Sequence, residues 1–125
     1  MKKRISLAAI LVILVAGAIA GVSSASQSST TSTKSTVITV VATDFHFKWT
    51  NIAALKHGVT YTLKFTNKGS ALHNIDITGV GATKVVGHGI TKTIKIKFKK
   101  AGKYAYLCDV PRHAELGMAG NLKVS

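Results

Sequence analysis

The chain has 125 residues, with 17 Lys and Arg against 4 Asp and Glu and a formal charge of +13. A single cysteine excludes an internal disulfide, and the length beyond an apolar N-terminal stretch suits one compact domain, near the lower size at which a chain builds its own core. So strong a charge bears on partners more than on fold, and lysines scattered along candidate strands rather than gathered in a motif argue against nucleic acid.

Met1-Lys2-Lys3-Arg4 precedes an uncharged run from Ile5 to Val22, the pattern of a basic n-region feeding an apolar export segment. Ser23-Ser24-Ala25 offers small residues for cleavage, while the run is also long enough to span a bilayer core of roughly 30 Å. Residues 1–25 are therefore expected to be a signal peptide or an N-terminal membrane anchor. Either places the remainder outside the cytoplasm, in the periplasm, at the cell surface or secreted. Residues 26–36 are almost all Ser and Thr, with Lys34 the one charge. They have too little apolar surface to offset the entropy of ordering and read as a linker. Residues 37–125 form the expected domain.

Within it, Tyr61, Leu63 and Phe65 alternate with Thr62, Lys64 and Thr66, and Ile94, Ile96 and Phe98 alternate with lysines and Thr93. Such a period of two marks strands with one buried and one wet face. Shorter signals lie at Val37 to Val41, Phe45 to Trp49, His73 to Ile77, Lys103 to Cys108 and Asn121 to Val124. Turn formers separate them at His57-Gly58, Asn67-Lys68-Gly69, Gly79-Val80-Gly81, Gly87-His88-Gly89 and Ala101-Gly102. The pattern predicts an all-β, antiparallel sandwich with Greek-key connections.

Cys108, His113 and Met118 stand at a C-x4-H-x4-M spacing that contains the only cysteine and the only methionine besides Met1. Thiolate, imidazole and thioether together suit copper better than other common metals. His73 shares a strand face with Ile75 and Ile77, and Cys108 shares one with Tyr104 and Tyr106, so both can point inward at one end of the sandwich. Pro111 stiffens the following loop and Gly117 permits a bend before Met118. Taken singly, a lone buried cysteine is a small hydrophobe, a methionine is core filler and a loop histidine is solvated. Their coincidence in one short loop favours a metal. Zinc prefers closed Cys/His sets, and a Cys-His hydrolase lacks a third group to orient its base. His46, His57 and His88 are assigned no chemistry.

The segments Phe65-Thr66-Asn67-Lys68-Gly69-Ser70-Ala71-Leu72-His73-Asn74 and Gly102-Lys103-Tyr104-Ala105-Tyr106-Leu107-Cys108, followed by the C-x4-H-x4-M loop, resemble the cupredoxin family of plastocyanins and azurins. The loop spacing is most similar to that of rusticyanin, sulfocyanin and auracyanin-like members. The resemblance covers essentially all of residues 37–125. It implies one copper ion cycling between Cu(I) and Cu(II), bound by His73, Cys108 and His113 in a plane with Met118 as weak axial ligand. Asn74 would tie the two ligand loops together. Leu72 stands where some azurins have a glycine whose carbonyl adds a further axial contact, so four ligands are expected.

The same resemblance implies a single-electron carrier rather than an enzyme, with the electron leaving through the edge of His113. Pro111, Ala114 and Leu116 would form an apolar docking patch around it. The partners would be redox proteins, such as a cytochrome or an oxidase, and the basic charge fits either an acidic docking surface or an acidic medium. The chain is expected to act as a monomer. Two other functions stay open: a copper carrier or storage protein, and a copper enzyme, which would need a further site built from extra histidines.

Overall fold

The computed structural model describes residues 36–125, together with Gly17 and Gly21. The segment expected over residues 1–25 and the linker over 26–36 otherwise lie outside the described residues. Eight strands follow in order: β1 (Val37–Thr43), β2 (His46–Thr50), β3 (Thr60–Asn67), β4 (Asp76–Ile77), β5 (Gly81–Ala82), β6 (Thr91–Lys97), β7 (Gly102–Leu107) and β8 (Ala119–Val124). They form two four-stranded sheets, ordered β2-β1-β3-β6 and β5-β4-β7-β8.

Alternation decides which faces meet. Ile38, Val40 and Ala42 of β1 and Leu63 and Phe65 of β3 are fully buried, as are Ile75 and Ile77, and Leu122 of β8 is nearly so. Residues of both sheets thus share one core, and each large aliphatic or aromatic side chain buried there stabilises the fold by about 1.5–3 kcal/mol. Aromatic edges tie the layers together. Trp49 and Phe47 of β2 meet Tyr106 of β7 with ring centroids 4.9 and 5.9 Å apart, and Phe98 meets Tyr104 at 4.8 Å.

Three details differ from the sequence expectation. First, β1 and β3 pair in parallel, in register from Val37↔Thr62 to Ala42↔Asn67, among otherwise antiparallel strands. The chain leaves β2, crosses to the other sheet where Leu55 bridges Val124, and returns beside β1. Second, only Asp76–Ile77 of the expected His73–Ile77 strand is regular. His73 pairs instead with Val86 in an isolated bridge, and the Thr83 hydroxyl replaces a ladder carbonyl by accepting from Ile75 N–H (3.2 Å). Gly81, expected in a turn, opens β5. Third, Phe45 does not begin β2. It lies in the β1–β2 turn with φ of 65° and is 41% exposed, because Thr43 pairs with His46 and leaves Asp44 and Phe45 as the connection.

Candidate metal centre

Cys108 follows β7 directly, where the chain must leave the sheet and return as β8. The loop between closes on itself. Cys108 N–H donates to Met118 O (3.0 Å), Met118 N–H to His113 O (3.0 Å), His113 N–H to Val110 O (3.1 Å) and Gly117 N–H to Ala114 O (3.2 Å). Gly117 makes the return with φ of 119°, a backbone region that side chains strain. A Cβ there would also lie 3.0 Å from Phe45 O. His73 arrives from the other side, fixed by its two backbone bonds to Val86 (3.1 and 2.9 Å).

These two segments bring three donors to one point. His73 Nδ1 lies 3.1 Å from His113 Nδ1, and Cys108 Sγ lies 3.6 Å from His113 Nδ1 and 3.9 Å from His73 Nδ1. A trigonal centre with metal–nitrogen bonds of about 2.0 Å and a metal–sulfur bond of about 2.3 Å spaces its donors by roughly 3.5–3.7 Å. The triangle is thus of metal-binding size. His73 is fully buried, Cys108 is 1% exposed and His113 9%. Met118 is fully buried at the loop's return, with its main chain bonded to both Cys108 and His113. Burial pushes the His113 imidazolium pKa down, the neighbouring His73 lowers it further, and Asp44 opposes both; the unprotonated ring that results is the form that ligates metals.

Asn74 joins the two ligand segments. Its Nδ2 donates to Asp109 Oδ2 (2.7 Å) and to Thr83 O (3.3 Å), while its Oδ1 accepts Asp109 N–H (2.8 Å). His57 and His88, assigned no chemistry, donate from Nδ1 to Ser125 O and Gly69 O, each at 3.0 Å. His46 is exposed.

Sequence reasoning missed two neighbours of the site. Asp44 Oδ1 lies 3.1 Å from His73 Nε2. Its carboxyl is held well below the usual carboxylate range, first by the Ser70 hydroxyl, then by the backbone N–H groups of Ala71 and Ser70, and then by His73. Phe45 sets its ring edge-on to His113, with centroids 5.3 Å apart. The available signal was the rarity of acid in this chain, since Asp44 is one of only four carboxylates.

A family model described as a cupredoxin-like domain matches residues 9–120. The chain belongs to the cupredoxin-like family. Among solved structures, the reduced auracyanin of the photosynthetic bacterium Roseiflexus castenholzii is 24% identical, with a TM-score of 0.64 over 73% of this chain and 98% of that one. Reduced rusticyanin is 21% identical, with a TM-score of 0.61 over 74% and 80%. A multicopper oxidase from Campylobacter jejuni is 18% identical, with a TM-score of 0.54 over 70% of this chain but only 29% of that protein. No curated sequence matches. Cupredoxins bind one copper ion, and in this cupredoxin the His73, Cys108 and His113 donor atoms lie within 4.8 Å of one another.

Proposed function

We propose that this cupredoxin carries single electrons between redox partners outside the cytoplasm, with one copper ion held by His73, Cys108, His113 and Met118. The observation that carries this reading is the buried triangle of one sulfur and two Nδ1 atoms. Bound copper would supply a one-electron Cu(I)/Cu(II) couple.

The protein's own part is to hold the donors still and dry. Both ligand segments are cross-linked through Asn74 and Asp109, and His113 is bonded to Met118 within its loop. A cage that changes little between oxidation states keeps reorganisation small, which favours fast outer-sphere transfer. His113 is the donor nearest solvent, so the electron leaves through its edge. Around that exit Leu72, Leu116 and Phe45 are exposed by 57, 53 and 41%, a surface fit for transient docking. Arg112 and the lysines steer an acidic redox partner, and the chain acts as a monomer. Residues 37–125 are the working domain, tethered or exported by residues 1–25 through a spacer over 26–36.

An oxidase role would need a further copper site built from extra histidines. Among the described residues, no second cluster of three His, Cys, Asp or Glu donors occurs. Copper delivery would call for ligands open to an acceptor, whereas His73, Cys108 and Met118 are at most 1% exposed.

The test is a visible spectrum of the copper-loaded protein with Cys108→Ser as control. An intense thiolate-to-copper band, bleached reversibly by reductant and lost in the variant, is the expected result. A colourless complex would show that Cys108 does not ligate copper in a type 1 site.

A further inference from the structure

Asp44 is turned toward the metal centre rather than toward solvent cations. The chain carries 17 Lys and Arg, yet among the described residues the His73–Asp44 contact is the one approach of a basic to an acidic side chain within ion-pair distance. The carboxylate cannot swing away easily. Oδ2 accepts from Ser70 N–H (3.1 Å) and from the Ser70 hydroxyl, and Oδ1 accepts from Ala71 N–H (3.0 Å) as well as facing His73 Nε2.

The loop from Asn67 to His73 is shaped to make this clasp. Asn67 is fully buried, and its Nδ2 donates to Ala71 O (2.9 Å) and Val86 O (2.8 Å) while its Oδ1 accepts Gly69 N–H (2.8 Å). Lys68 N–H donates to Ala42 O (2.8 Å), drawing the loop over the end of β1. Gly69 sits where any side chain would intrude. A Cβ there would collide with Asp44 Oδ1 and lie 2.8 Å from His73 Nε2 and 2.9 Å from Asp44 N. The close approach of carboxylate to imidazole therefore depends on glycine at this position.

We infer that Asp44 is a positioning residue for the copper site: by accepting the Nε2–H of His73 it fixes the tautomer that aims the Nδ1 lone pair at the triangle, and its charge strengthens that nitrogen as a donor to oxidised copper. The inference rests on the copper site proposed above. A histidine ligand whose second nitrogen donates to a carboxylate is oriented and made more basic, and the doubly charged ion gains more from this than the singly charged one. Asp44 thus stabilises Cu(II) over Cu(I) and lowers the reduction potential.

Two measurements test it. In the copper-free wild-type protein, nitrogen-15 NMR of the His73 ring reads the tautomer directly; a proton on Nε2 supports the inference and a proton on Nδ1 overturns it. In Asp44→Asn, chelator competition with Cu(II) and Cu(I) should show Cu(II) affinity falling about 10–100-fold and Cu(I) affinity falling less. Each tenfold difference between the two raises the potential by about 59 mV. Equal losses for both ions, or none, with the potential unmoved, would show that Asp44 only caps a loop. Should the variant fail to fold, the wild-type tautomer alone decides. A wild-type chain that binds no copper overturns the proposed function itself, whereas a blue site indifferent to Asp44→Asn overturns this inference only.

Discussion

At the residue scale, the acidic side chains are set apart by their surroundings. Asp44 is held ionised by four donors, while Asp76 is pushed the other way, first by burial and then by the charge of Asp109. With its folded pKa raised above 3.8, Asp76 prefers its protonated form in the native state. Its contribution to stability is therefore greatest below pH 3.8, falls as pH rises through the raised value, and stays low above it. Asp76→Asn should accordingly make the apo protein more stable at pH 7, by about 0.5 kcal/mol, with no difference near pH 3. Urea unfolding at the two pH values checks this, and a variant less stable at pH 7 would contradict it. His73, Cys108, His113 and Met118, the proposed ligands, stand out in the sequence because three of them share a loop and the fourth opens an apolar alternation. Asp44 does not, because its partner stands 29 residues away and no local pattern announces a contact across that distance.

At the scale of elements, the loop from Cys108 to Met118 depends on one backbone conformation. Gly117 has φ of 119° and faces Phe45 O. Gly117→Ala should destabilise the domain by about 1–3 kcal/mol and, because Met118 follows directly, alter the copper spectrum. Urea unfolding together with visible absorption would reveal both effects, and unchanged values would show that the turn tolerates a side chain. The long strands β1, β3, β6 and β7 were visible in their alternation, since a half-buried strand writes its two faces into every second residue. The region from His73 to Ala82 was misread in part. Some of its hydrogen bonds pass through the side chains of Asn74 and Thr83, and of the glycines expected in a turn Gly79 lies in one while Gly81 opens β5. Phe45 was assigned to β2 on the strength of alternation with Phe47, whereas the hairpin needs Asp44 and Phe45 as its connection.

For the whole molecule, charge and shape divide the surface. Lys48, Lys64, Lys95 and Lys97 lie on the outer face of the β2-β1-β3-β6 sheet, opposite the buried residues of the same strands, and no carboxylate lies in those four strands. The exposed apolar side chains Leu72, Phe45 and Leu116 gather instead around the metal end. In the proposed function, long-range attraction and short-range docking would thereby fall to different surfaces. Leu116→Glu should slow electron transfer to an acidic partner at least tenfold while leaving the copper spectrum intact. Raising the salt should slow the wild type, because screening shortens the Debye length to about 10 Å at 0.1 M. Stopped-flow kinetics with a negatively charged redox protein would measure both, and a variant as fast as the wild type would remove Leu116 from the docking face.

Strand periodicity and donor chemistry are local properties of a chain, and from them the β-sandwich, its wet and dry faces and the residues proposed to hold copper could be read. Tertiary structure alone decided the parallel pairing of β1 with β3, the course of the chain between His73 and β5, and the clasp of Asp44 on His73. Each of these depends on which distant segments the core brings side by side, and on a glycine small enough to let a carboxylate and an imidazole meet.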